Sequence, residues 1–113
     1  MKLDTNWVVM KVTSKASQYG GWVEEVTFAN CDLEIAHTYL DQDNSNYKRW
    51  QDIIEAHDRG MGVVVSGLTA KKKALHKKTH EPLVNADSPV KVVHVEEDRN
   101  VLMREFVELL ETV

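Results

Sequence analysis

The sequence predicts a mainly β domain: a small five-stranded barrel with one helix between the third and fourth strands and a second helix at the C-terminus. Three observations carry that expectation. The chain has 113 residues, the length of one domain, and a chain of that size buries roughly 65% of the surface it exposes when unfolded, enough for a core without staples. Short apolar runs bounded by Gly, Pro, Asn and Asp clusters recur along it, rich in β-branched residues and alternating with period two. Three such runs precede the first helical pattern, whereas a parallel α/β fold needs strands and helices in regular alternation.

The elements follow in order. Residues 6–13 place Val8, Met10 and Val12 at period two, a strand with one buried face, and put Trp7 either on a second buried face or at a subunit contact. Residues 14–21 are small and polar and end in a Gly pair, so the chain turns. Residues 22–29 resume as strand, with Val26 and Phe28 on one row. Asn30, Cys31 and Asp32 break it. Residues 33–40 make a third strand, with Leu33, Ile35, His37 and Tyr39 on one face and Glu34, Ala36, Thr38 and Leu40 on the other; either face can be the inner one. The polar cluster 41–46 supplies helix caps. Beyond it Tyr47, Trp50, Ile54 and His57 recur at helical spacing, Ile53 widens the stripe, and Gly60 stands where a C-terminal cap belongs. Residues 62–68 are too short and β-branched to be anything but a strand, with Gly67 a candidate bulge. A lysine-rich arm follows, then a last extended segment from Leu83 to about residue 96, and finally a helix over 98–112 whose apolar stripe includes Leu102, Phe106 and Leu110. The division is a barrel over 1–96 and an acidic amphipathic helix over 97–113, within one domain.

Composition excludes disorder and membrane spans: 42% of residues are apolar, 28% are charged, and no uncharged apolar run approaches the roughly 18 residues a span requires. The first residues carry no apolar export signal, so the expected compartment is the cytoplasm, with Cys31 a free thiol. Net charge is −4, from 14 basic and 18 acidic residues, but it is segregated. Residues 1–95 are neutral overall, the final 18 residues carry the whole −4, and residues 69–80 hold five lysines and no acid. That block, Lys71, Lys72, Lys73, Lys77 and Lys78, is either a solvated hairpin or an anion-binding loop.

The helix at 47–57, the Gly62–Leu68 strand after it and the late strand at 83–88 resemble the order of the OB-fold, the oligonucleotide- and oligosaccharide-binding barrel; an SH3-like or Sm-like small barrel is the alternative. The acidic helix at 98–112 is not part of the OB core. The resemblance implies a ligand lying across the second and third strands between two flanking loops. Residue by residue it implies Lys15 and Tyr19 in the first loop, the lysine block in the second, and Trp22, His37 and Tyr39 between them. Aromatic faces that stack on bases and cations that track phosphates are what sequence-independent binding of single-stranded nucleic acid requires.

The expected function is therefore non-enzymatic binding of single-stranded DNA or RNA, weak per subunit and salt-sensitive. The alternative is an oligomeric interaction module whose lysine arm is merely solvated. Small barrels commonly pair edge strands, and the broad apolar stripe of the last helix, Leu102, Phe106 and Leu110, is the expected interface of a homo-oligomer. No enzyme, cofactor or metal motif stands out. His76 and His80 have a zinc-ligand spacing but no local third and fourth ligands. Asp41 and Asp43 lack the glycine and distal glutamate of a calcium loop. Gly60 and Gly62 precede a strand rather than a phosphate-cradling helix. Pairing Cys31 with a histidine base needs long-range geometry.

Overall fold

The computed structural model describes residues 2–3, 6–16, 21–32, 34–41 and 45–111, the side chains of 2–3 and 106–111 excepted. In chain order these form β1 (Lys2–Leu3), β2 (Trp7–Ala16), β3 (Trp22–Ala29), β4 (Ile35–Asp41), α1 (Tyr47–Asp58), β5 (Gly62–Ser66), β6 (Leu68–Leu75), β7 (Pro82–Val84), β8 (Lys91–Glu96) and α2 (Arg99–Glu111). One sheet contains all the strands in the order β1-β6-β7-β4-β3-β2-β5-β8. Its pairings are antiparallel except β4 with β7, so the sheet is mixed.

The fold is mainly β, as the sequence predicts, but two details of the expectation are corrected. The strand count exceeds five because two segments behave differently from their composition. The lysine run is itself strand: Lys71, Lys72 and Lys73 lie on β6, which pairs with β1 on one side and β7 on the other. Lysine is tolerated there because its side chains remain in water. The late segment splits into β7 and β8 around a turn at 85–88, where Asn85 accepts through Oδ1 from the Asp87 amide at 3.0 Å and through its carbonyl from the Ser88 amide at 3.0 Å. With β1 added at the start, α1 falls between the fourth and fifth strands rather than the third and fourth.

Connectivity explains the curl of the sheet. Gly67 alone links β5 to β6, yet β2, β3, β4 and β7 lie between those two strands in the sheet. The sheet must bend until its ends meet at that residue, which gives a half-barrel. Gly67 turns the corner with φ +79°, a left-handed value that favours glycine. The concave face encloses α1. Trp7 and Val9 from β2, Val26 and Phe28 from β3, Ala36 and Leu40 from β4, Val63 and Val65 from β5, Leu68 and Val84 all pack around Trp50, Ile53 and Ile54. Burying each large side chain contributes on the order of 1.5–3 kcal/mol. Trp50 is fully buried, stands 6.0 Å from the Phe28 ring between centroids, and donates its indole N–H to the Ala86 carbonyl at 2.9 Å.

In β2 the structure departs from simple alternation. The register to β3 shifts between Val9 and Lys11, a bulge that leaves Met10 exposed and returns Val12 to the inner row opposite Val26. Trp7 and Val9 therefore face inward, while Val8 faces outward and is covered by α2. There Val8, Ala29 and Leu102 form a second, smaller cluster with Val64 and Met103 against it. Leu102, expected at a subunit contact, is engaged with its own sheet. The side chains of Phe106 and Leu110 lie outside the described residues. Among the described residues no helix is long and apolar enough to cross a membrane.

Helix α1 ends as its sequence dictates, with Gly60 at φ +85° donating its amide to the His57 carbonyl at 3.0 Å. Arg99, opening α2, clamps this end: its guanidinium donates to the same carbonyl at 2.6 Å and its amide to the Gly60 carbonyl at 2.9 Å. Burial, aided by the Arg99 charge, lowers the pKa of His57 from its ordinary 6.5. The unfolded chain then takes up a proton near pH 6.5 that the folded chain resists, so stability is full above that pH and is lost as pH falls below it. Thermal melts across pH 5–7.5 are expected to show this loss, and His57→Gln to remove part of the slope; identical slopes in both proteins would contradict the assignment.

Candidate functional site

Strand alternation creates two faces at the open end of the β2–β3–β4 ribbon. Ala36, Thr38 and Leu40 turn inward and are buried, so His37, Tyr39 and Asp41 turn outward. Their cross-strand partners on β3 share that outer row: Thr27 opposite His37, Glu25 opposite Tyr39, and Val23 opposite Asp41. Lys15 of β2 stands opposite Val23. The β6–β7 connection folds over this row. Leu75, His76, Lys77, Lys78 and Leu83 close one side of a groove of about 610 Å³ whose other side is Lys15, Ala16, Val23, Tyr39 and Asp41.

The turn that carries Lys77 and Lys78 is ordered by His76. Its ring is buried, its backbone amide donates to the Glu81 carbonyl at 2.8 Å, and its carbonyl accepts from the His80 amide at 2.9 Å. Nδ1 of the His76 ring accepts from the amides of Lys78 and Thr79 at 3.2 and 3.3 Å. The ring proton is thereby placed on Nε2, which faces Oε2 of Glu25 at 3.7 Å. His37 packs against His76 with ring centroids 4.3 Å apart; its Nδ1 lies 3.2 Å from Oγ1 of Thr27 and its Nε2 lies 3.0 Å from Oε1 of Glu81. Tyr39 also stacks on His76, with ring centroids 6.1 Å apart and planes 14° from parallel.

Electrostatically this floor is a carboxylate network shielded by cations. Burial works to raise the pKa of Glu25, but hydrogen bonds from Lys15 (2.9 Å) and Tyr39, with the charge of Lys15, outweigh it and hold the group below its ordinary range. Burial and the neighbouring Glu25 push the Tyr39 phenol up to about 12. Hydrogen bonds from His37 and Thr79 keep the Glu81 carboxyl low. Both carboxylates add stability above about pH 4.5 that is lost as pH falls through their lowered values.

Of the residues the sequence nominates, the structure brings Lys15, Tyr39, Lys77 and Lys78 together on this groove. Trp22 does not join them. It is 58% exposed at the start of β3, on the row that becomes Val26 and Phe28, so it projects from the opposite face of the ribbon. Lys71, Lys72 and Lys73 are exposed further up β6 and do not line the groove. Tyr19 lies outside the described residues. Sequence reasoning missed Glu25 and Glu81 as neighbours of the histidines. Four polar residues facing one another across β3 and β4 were the available signal for an outer face; their junction with His76, nearly 40 residues further along the chain, left no local trace. No protein-family model, curated protein or solved structure matches this chain.

Proposed function

We propose that the protein binds single-stranded nucleic acid along this groove. The observation that supports the reading is the convergence of Lys15, Lys77 and Lys78, from segments about 60 residues apart, on a trough with an apolar, partly aromatic lining of Val23, Tyr39, Leu75 and Leu83. Cations along the rim take phosphates, and the lining takes bases or sugars. The location agrees with what the OB-fold resemblance implies, a path over the second and third long strands beside the lysine-rich connection. His76 takes one face of the Tyr39 ring, so Tyr39 offers a partial stacking surface. Lys71, Lys72 and Lys73 extend the positive field beyond the groove.

Fluorescence anisotropy of a short labelled oligonucleotide tests the proposal. Three phosphate contacts predict a slope of about −2 in log affinity against log salt, and the double substitution Lys77→Gln, Lys78→Gln is expected to remove about 1.4 of it. Absence of binding at low salt, or a slope untouched by the double substitution, would sink the reading.

One observation favours a second role, self-association. Among the described residues no further strand pairs with the outer edge of β8, and its Val92, Val93 and Val95 are 42%, 48% and 41% exposed. Edge-to-edge pairing of two copies would cover it. Light scattering is expected to give a dimer that Val93→Lys converts to monomer; a monomeric wild type excludes the pairing.

A further inference from the structure

Three side chains beneath the groove have the composition of a transition-metal site. Glu25, His37 and His76 each offer a ligand atom, and these atoms all lie within 4.8 Å of one another. Both histidines are buried, at 6% and 8% exposure, and the Glu25 side chain is 12% exposed. Two imidazoles held side by side away from water, each with its Nε2 beside a carboxylate, is an expensive arrangement for a core to keep unless something uses it. We propose that Glu25, His37 and His76 form a binding site for a divalent ion of the zinc class.

The spacings fit. A tetrahedral ion with bonds of about 2.0–2.1 Å holds its ligand atoms roughly 3.3 Å apart. His76 Nε2 is 3.7 Å from Glu25 Oε2, within a few tenths of an ångström of that value, and all three ligand atoms lie within 4.8 Å of one another, close enough for small side-chain rotations to seat an ion. Three protein ligands leave the fourth position of a tetrahedral ion to water. Ligand type fits too. Imidazole nitrogen with carboxylate oxygen suits zinc, whereas magnesium and calcium prefer oxygen alone. His37 can gain the outer partner that a ligating histidine needs: Nε2, which donates to Glu81 Oε1 at 3.0 Å, must give up its proton to make room for the ion, and Nδ1–H then donates to Thr27 Oγ1, 3.2 Å away.

Besides the His37–Glu81 hydrogen bond, two groups compete with the ion, and they set what binding must change. Lys15 Nζ lies 2.9 Å from the same Glu25 oxygen; its side chain is 47% exposed and can withdraw into solvent. His76 must exchange tautomers: Nε2 gives up its proton, Nδ1 takes one, and the acceptances from the Lys78 and Thr79 amides are lost. No net proton is released in that exchange. Occupancy of the site therefore reorganises the turn bearing Lys77 and Lys78. The site stands on its own geometry and does not depend on the groove binding nucleic acid.

The test is titration of the full chain with Zn²⁺ against a chromophoric chelator, with amide resonances followed by NMR. The expected result is uptake of one ion per chain, loss of affinity by more than roughly 10-fold in each of Glu25→Gln, His37→Gln and His76→Gln, and shifts at the Lys78 and Thr79 amides. His80→Gln and His94→Gln, which alter exposed histidines, are expected to leave uptake unchanged. Circular dichroism of each variant without zinc separates ligand loss from misfolding, and the wild-type titration stands whatever the variants do. No uptake by the wild type, uptake retained by folded variants of the three residues, loss on changing His80 or His94, or unmoved Lys78 and Thr79 amides at saturation would overturn the site.

Discussion

Gly67→Ala is expected to destabilise the protein by about 2–5 kcal/mol, the sum of a left-handed backbone penalty of roughly 1–2 kcal/mol and an overpacking cost of about 1–3 kcal/mol. Gly67 has φ +79°, and a Cβ built on it stands 2.5 Å from the Pro89 carbonyl oxygen. That oxygen belongs to backbone, so no side-chain rotation relieves the contact. The corner cannot move either, because it is the one-residue link between strands that sit near opposite ends of the sheet. Urea denaturation should show the loss as a lower midpoint with an unchanged slope. A shift below about 0.5 kcal/mol, the range of ordinary surface substitutions, would mean that the corner relaxes freely.

Trp50→Ala is expected to cost about 3–5 kcal/mol, the range for deleting a large aromatic side chain from a core. Trp50 is fully buried where α1 meets the concave face, and its N–H is the donor to the Ala86 carbonyl. The substitution therefore opens a cavity and also leaves that carbonyl without its partner. A domain of this size has a total stability on the order of 6–17 kcal/mol, so the variant loses a large share of it. Trp50→Phe separates the two effects: it keeps most of the ring volume and loses only the hydrogen bond, so it is expected to cost about 1–3 kcal/mol. Equal losses in the two variants would assign the whole effect to the hydrogen bond and contradict the cavity account.

Much of this architecture was legible in local pattern. Helix α1, its buried face and its glycine stop were readable from spacing because the helix ends within one continuous stretch of sequence. Strands β3, β4 and β5 were readable from alternation. Three features were not. The bulge at Met10 moves Val8 to the outer face and Val9 to the inner, and an alternating run carries no mark of the extra residue. Lysines at 71–73 suggested a solvated arm because composition reports exposure, while strand pairing to β1 and β7 depends on backbone groups that every residue possesses. The split between β7 and β8 depends on the turn at 85–88, which is tied to distant parts of the fold. Ser88, buried there, lies 2.7 Å from Thr69 through its hydroxyl, and Arg49 donates to the Asp87 and Ser88 carbonyls at 3.1 and 3.2 Å.

The candidate site divides the same way. Lysine and tyrosine positions could be nominated one at a time, and Lys15, Tyr39, Lys77 and Lys78 converge. Trp22 could not be assigned to a face without knowing which row of β3 the core occupies. The contacts of Glu25 with His76 and of His37 with Glu81 span 51 and 44 residues, and no short-range pattern encodes such distances.

The parallel β4–β7 pairing, with His37 opposite Leu83, has a kinetic meaning. Strands β2, β3 and β4 follow one another in both chain and sheet and so can assemble from near neighbours, as can the β6–β7 hairpin; joining the two requires closing a loop that contains α1 and β5. The groove straddles that junction, with Lys15 and Tyr39 on one unit and Lys77 and Lys78 on the other. Topology therefore predicts that it completes after both units have formed. The same junction is the natural line for a partial opening of the native state, which would part His37 from Glu81 and Glu25 from His76 while leaving the β2–β3–β4 meander intact.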